Sequence, residues 1–185
     1  MNLRHLIPVL LVLVGCIEPE LVPRNLTELV VEGDRILNST TMKPYSGPVF
    51  SLHEGTENVH VRTELLDGRM NGPYEMYHKN GQFFLKGSYS NGVEDGPFEW
   101  YYRDGQLWSK GSYANGEYDG PIEFYYENGQ LQMKGSYVNG VKDGPRVWYR
   151  ENGQLKVKRS FSNGERCGEW IEYGSPMTYP PCPSG

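Results

Sequence analysis

The chain has little of what catalysis or nucleic-acid binding usually needs. Its 185 residues include only 4 His and 3 Cys, and 18 Lys and Arg are outnumbered by 23 Asp and Glu, for a formal charge of −5. That balance offers no basic footprint, so nucleic acid is excluded as a partner. No phosphate loop, dinucleotide fingerprint or nucleophile elbow occurs, and the cysteines lack metal-site spacing. Neither a cofactor nor a metal is expected. What is plentiful is Gly (23), Pro (13) and Tyr (14), in a polar chain of mean hydropathy −0.62.

The N-terminus reads as an address. Residues 1–15 carry one positive charge, Arg4, ahead of the apolar run Leu6 to Val14, which is broken only by Pro8. A membrane-spanning helix needs about 20 apolar residues, so a run this short fits a signal peptide instead. Leu13-Val14-Gly15-Cys16 follows, and it resembles the bacterial lipobox, in which the cysteine is acylated. Lipid attachment at Cys16 is therefore expected, since two or more acyl chains anchor a protein stably. Ile17 in place of Asp points, by analogy with Gram-negative lipoproteins, to the outer membrane of the cell envelope. Exported chains keep disulfides, and a Cys167–Cys182 bridge is expected to pin the Pro-rich tail, residues 174–185. Residues 16–44 read as a tether, with a capping hairpin around Gly33-Asp34.

The rest is repetition. Gly72, Gly96, Gly120, Gly144 and Gly168 are 24 residues apart, and the first four precede Pro73, Pro97, Pro121 and Pro145. Asn80-Gly81, Asp104-Gly105, Asn128-Gly129 and Asn152-Gly153 form a second comb; Asn91-Gly92, Asn115-Gly116, Asn139-Gly140 and Asn163-Gly164 form a third. Tyr77, Tyr101, Tyr125, Tyr149 and Tyr173 form a fourth. Several registered combs mark an internal-repeat protein.

Each unit decodes as two strands, because Asn-Gly and Asp-Gly are strong signals for tight hairpins. A two-residue turn at Asp104-Gly105 places Tyr102 opposite Leu107, Tyr101 opposite Trp108, Trp100 opposite Ser109, Glu99 opposite Lys110 and Phe98 opposite Gly111. The same register sets Glu75 against Lys86 and Glu123 against Lys134, and opposite charges so placed support it. Large side chains at 74, 98 and 122 face Gly87, Gly111 and Gly135, where they cover bare backbone. A second turn at Asn115-Gly116 sets Phe124 opposite Leu107. One face then collects Phe98, Trp100, Tyr102, Leu107 and Tyr113; the other collects Glu99, Tyr101, Trp108 and Lys110. A bulge or bend is expected at the Gly-Pro steps, because proline cannot donate to the ladder.

The unit from Gly120 to Gly140 resembles the MORN repeat (membrane occupation and recognition nexus) in its bacterial variant, and the resemblance runs from about Tyr45 to Tyr173. It implies an all-β fold over residues 45–173: an elongated, twisted antiparallel meander of stacked hairpins with no separate catalytic domain. Some bacterial lipoproteins with such repeats are described as antitoxin-like, which implies an immunity role. The end units depart from the pattern, as capping repeats do.

No reaction is legible. His78 occupies a position filled elsewhere by Tyr102, Tyr126 and Arg150, which suits a strand surface and not a base. Asn115, Glu117, Asp119 and Gly120 imitate the start of a calcium loop, yet the closing acid would be Tyr126. The recurring Glu75, Glu99 and Glu123 each have a lysine opposite, so charge pairing accounts for them better than a glycosidase pair does. The expectation is a non-enzymatic, membrane-tethered platform for an unidentified protein partner. The candidate binding surface is Trp100, Tyr101, Tyr102, Trp108, Phe124, Tyr125 and Trp148. The alternative is glycan binding through the aromatic stripe, since aromatics flanked by polar groups suit either ligand.

Overall fold

The computed structural model describes residues 22–172 and 175–183. The signal segment 1–15, Cys16, Ile17 and Tyr173 lie outside these. Among the described residues, sixteen strands form one sheet that does not close on itself, and Leu29–Glu32 with Arg35–Asn38 form a separate hairpin. The sheet is an antiparallel meander: Gly47–Leu52, Val59–Leu66, Arg69–Tyr77, Phe83–Ser90 and so on to Glu165–Glu172, each strand beside the next.

The two Gly combs make two different turns. At Asn115-Gly116 both residues have positive φ, +52° and +84°, and the other members of that comb match it. This is the mirror-image turn whose twist suits a two-residue hairpin. At Asp104-Gly105 only the glycine is left-handed, at +88°. There the Tyr102 N–H donates to the Gln106 carbonyl at 2.8 Å and the Gly105 N–H to the Tyr102 carbonyl at 3.0 Å. That is a three-residue loop, an ordinary turn followed by a glycine bulge, not the two-residue turn expected. The cause is the Asp104 carboxylate, which accepts the Gln106 N–H at 3.0 Å and holds the chain in the wider loop.

The wider loop corrects the register next to it. Phe98, Glu99 and Trp100 do face Gly111, Lys110 and Ser109, but Tyr101 pairs with Leu107, leaving Trp108 as an unpaired bulge residue. Tyr102 belongs to the loop and does not face Leu107. Beyond the other turn, Tyr113 pairs with Tyr118 while Phe124 pairs with Ser109, not Leu107. Two extra residues enter at Gly120-Pro121, where Gly120 has φ +91°, so the bulge expected at the Gly-Pro step is present.

The core lies along one face, around Leu85, Phe98, Ile122 and Met133, with Trp100, Phe124 and Trp148 packed at its margin. The Phe98 ring covers Gly111: a Cβ there would lie 2.8 Å from its Cε1 and Cζ. Two short strands outside the repeats lie at the ends of the sheet. Arg24–Asn25 pairs in parallel with Val49–Phe50, a departure from the all-antiparallel expectation made possible by the intervening hairpin and loop. Ser175–Thr178 pairs with Glu169–Glu172, so the tail is partly a strand, and a Cys167–Cys182 disulfide joins it to the last repeat strand. Beneath it Trp170 is 1% exposed and packs against Tyr179, the two tilted rings 4.5 Å apart.

Candidate binding surfaces

The seven candidate residues fall on two faces of the sheet, as expected, but not all on the expected ones. Trp108 contacts Trp100, Tyr102 and Phe124 at centroid distances of 6.1, 6.4 and 6.1 Å. It therefore stands on the Trp100 face, the reverse of its expected placement, because a bulge admits one extra residue and resets the alternation of sides. Leu107 crosses to the Tyr101 side for the same reason, as its pairing with Tyr101 requires. The first surface thus carries Trp100, Tyr102, Trp108, Phe124 and Trp148. The second carries Tyr101 and Tyr125.

On the first surface most rings are half-buried against one another; Phe84 and Trp100, for instance, meet edge to face at 5.0 Å. Trp108 is the most open, at 38%. The Tyr102 hydroxyl is engaged inside the sheet, donating to the Tyr125 carbonyl at 2.8 Å, and Tyr126 donates likewise to Tyr149. His53 and His78 make the equivalent contacts through Nε2, to the carbonyls of Tyr77 at 2.9 Å and Tyr101 at 3.3 Å. The comb position that reads as plain strand surface is therefore an inter-repeat rung. Its sequence signal is the restriction to side chains with a terminal hydrogen-bonding group.

The second surface is a row of alternating charge. Arg62, Glu75, Lys86, Glu99, Lys110, Glu123 and Lys134 are paired in succession across seven strands. The Lys110 ammonium is 3.0 Å from Glu123. Tyr77 and Tyr101 donate to Glu75 and Glu99 at 2.5 Å, and Tyr125 donates to Glu123. Burial first, and then these carboxylates, push the Tyr77 and Tyr101 phenols up to about 12. The phenol of Tyr125 and the ammonium of Lys110 together hold Glu123 below the usual carboxylate range. A groove of about 690 Å³ follows this row, lined by Pro73, Pro97, Pro121 and the flanking charges.

The residues that imitate a calcium loop serve the backbone: Asn115 forms its turn, and Asp119 accepts the Asn139 N–H at 3.2 Å. Among the described residues no group of three or more His, Cys, Asp or Glu is placed to hold a metal ion.

Such a sheet, built of one hairpin unit used over and over with binding-sized surfaces on both sides, defines a β-hairpin repeat protein. A family model described as MORN repeat variant matches three consecutive stretches, residues 94–115, 118–139 and 142–163. Each match is 22 residues long and begins 24 after the last, in step with the combs. Three consecutive stretches of the chain are therefore similar to this repeat; the hairpin from Arg69 to Ser90, with the same pairing, lies outside them. No curated protein matches the chain. MORN repeats are non-catalytic in general and commonly bind proteins or membranes.

Proposed function

We propose that this chain is a non-enzymatic, lipid-tethered protein of the cell envelope whose repeat sheet binds another protein. The observation that carries this reading is the first surface: Trp100, Trp108, Phe124 and Trp148 lie along one face, and among the described residues no second layer covers them. An aromatic face of that extent is suited to a partner. The tether is the lipid on Cys16, and the outer membrane of a Gram-negative bacterium is the proposed address. The immunity role rests on the resemblance to antitoxin-like lipoproteins alone.

The test is a pull-down from native envelope with the full chain in detergent as bait. A single stoichiometric protein is expected, lost when Trp100→Ala and Trp108→Ala are combined in a chain that keeps its β-sheet circular dichroism. Rescue from the captured protein's toxicity would then test immunity. No protein captured, but retention on purified cell wall, would replace this reading with glycan binding.

A further inference from the structure

In the last matched repeat four comb positions change together. Residues 74, 98 and 122 are Tyr, Phe and Ile, but 146 is Arg; 78, 102 and 126 are His, Tyr and Tyr, but 150 is Arg. Residues 84, 108 and 132 are Phe, Trp and Gln, but 156 is Lys; Gly87, Gly111 and Gly135 give way to Arg159. All four belong to the first surface by register, so an otherwise neutral aromatic face becomes cationic at one end. The carboxylates of this stretch balance them only in part: Glu172 accepts from Arg159 at 2.9 Å and Glu151 sits in the exposed turn, so among the described residues Arg146, Arg150 and Lys156 have no paired carboxylate.

The geometry says which charge this end would accept. The guanidiniums of Arg146 and Arg159 both lie 5.5 Å from the Trp148 ring centroid, so its π-face is already occupied by cations. A further cation would be repelled. Arg146 is 8% exposed; it donates to the Tyr137 hydroxyl at 2.8 Å, its Nε has no partner, and no carboxylate among the described residues pairs with it. A buried cation without a counter-charge is costly, and a nearby anion would offset that cost. Beside it a groove of about 350 Å³ runs between Phe124, Tyr126 and Trp148, with Lys156 in its wall; Arg150, next to the lining residue Tyr149, belongs to this face by its place in the repeat. That volume accommodates an apolar or aromatic side chain. The bond from Arg159 to Glu172 is an instance within the chain of the carboxylate recognition this end performs.

We infer that the Trp148 end of the sheet is the docking point for an acidic protein segment, one that inserts an apolar side chain between Phe124 and Trp148 while its carboxylates meet Arg150 and Lys156. This rests on the protein-binding reading above and specifies the partner's chemistry. A carboxylate-bearing segment is favoured over a lipid surface because the site is a groove between rings, flanked by guanidiniums whose one captured anion is a carboxylate.

The test uses the full chain in detergent and a fluorescein-labelled, glutamate-rich peptide containing a phenylalanine, followed by anisotropy. The peptide is expected to bind, and its lysine-rich counterpart to fail. Arg150→Glu with Lys156→Glu should weaken binding by about tenfold or more, while Lys79→Glu with Arg103→Glu, the same total charge change in exposed turns three and two repeats away, should stay within about twofold. Equal binding of both peptides, no binding of either, or equal losses in both variants would overturn the inference. So would a preference for phosphatidylglycerol over phosphatidylcholine nanodiscs that the double variant abolishes while peptide binding is unaffected. The two readings fail separately. An envelope partner that the double variant still captures sinks this inference alone, whereas no captured partner at all sinks the platform reading.

Discussion

The phenol of Tyr102 donates to the main-chain carbonyl of Tyr125, 23 residues on, across the boundary between two repeats. Tyr126 makes the same bond to Tyr149. The ring lies along the sheet and its tip closes the end of the next strand, so one side chain serves packing and backbone satisfaction together. Replacing Tyr102 by Phe keeps the ring and leaves a carbonyl without its partner. The expected loss is about 1 kcal/mol in chemical denaturation. Tyr126→Phe should cost the same and add to it, since the two bonds share no group. An unchanged midpoint would show that the rung contributes nothing to stability.

A second rung has a gap. The side-chain amides of Asn58, Asn80 and Asn128 donate to the carbonyls of Lys79, Arg103 and Glu151, at 3.1, 2.8 and 3.3 Å. Asp104 stands in the same comb and has no amide to give. Asp104→Asn supplies a donor for the carbonyl of Glu127 while keeping the acceptor for the Gln106 N–H, and stability should rise by about 0.5–1 kcal/mol. Asp104→Ala removes the acceptor as well and should lower it. A thermal melt of the three proteins side by side decides the order.

The phenols of Tyr77 and Tyr101 should titrate near 12, not 10, when phenolate absorbance is followed. Since the folded chain holds these protons more tightly, their contribution to stability is complete below pH 10 and is lost as pH rises from 10 to 12. Glu99→Gln should bring the Tyr101 midpoint part of the way back, because burial, the larger cause, is untouched. A Tyr101 midpoint near 10 in the parent chain would contradict the described burial and pairing.

Cys167 and Cys182, 15 residues apart, close a loop around the last edge of the sheet. Cys182→Ser should lower stability by about 3 kcal/mol on the chain-entropy account. Hydrogen exchange should quicken first in Ser175–Thr178, whose four residues are all exposed and so have little other than backbone pairing to hold them. Uniform quickening across the repeats would mean that the bridge stabilises the whole sheet and not its edge.

Much of this fold is legible because periodicity repeats its own evidence. The Glu99–Lys110 and Phe98–Gly111 pairs follow from a hairpin register that three units support independently. The faces of Trp108 and Leu107 do not follow, and the reason is physical. Asn-Gly and Asp-Gly serve both turn types here, and only the side chain's capture of the Gln106 N–H selects the wider loop. One extra residue then reverses the side on which Trp108 stands, and a 24-residue comb carries that reversal through every unit without a trace. The parallel pairing of Arg24–Asn25 has no composition signal, being two residues long.

The short strands at the two ends set a limit on how these molecules meet. An open strand edge is a template on which another chain can continue the ladder. Here Arg24–Asn25 and Ser175–Thr178 occupy the outermost places, and the second is covalently secured. The sheet is therefore a measured length and not a growing one. A second copy would meet only two and four residues of edge strand at the described ends, so the broad faces and not the edges are the larger surface on offer.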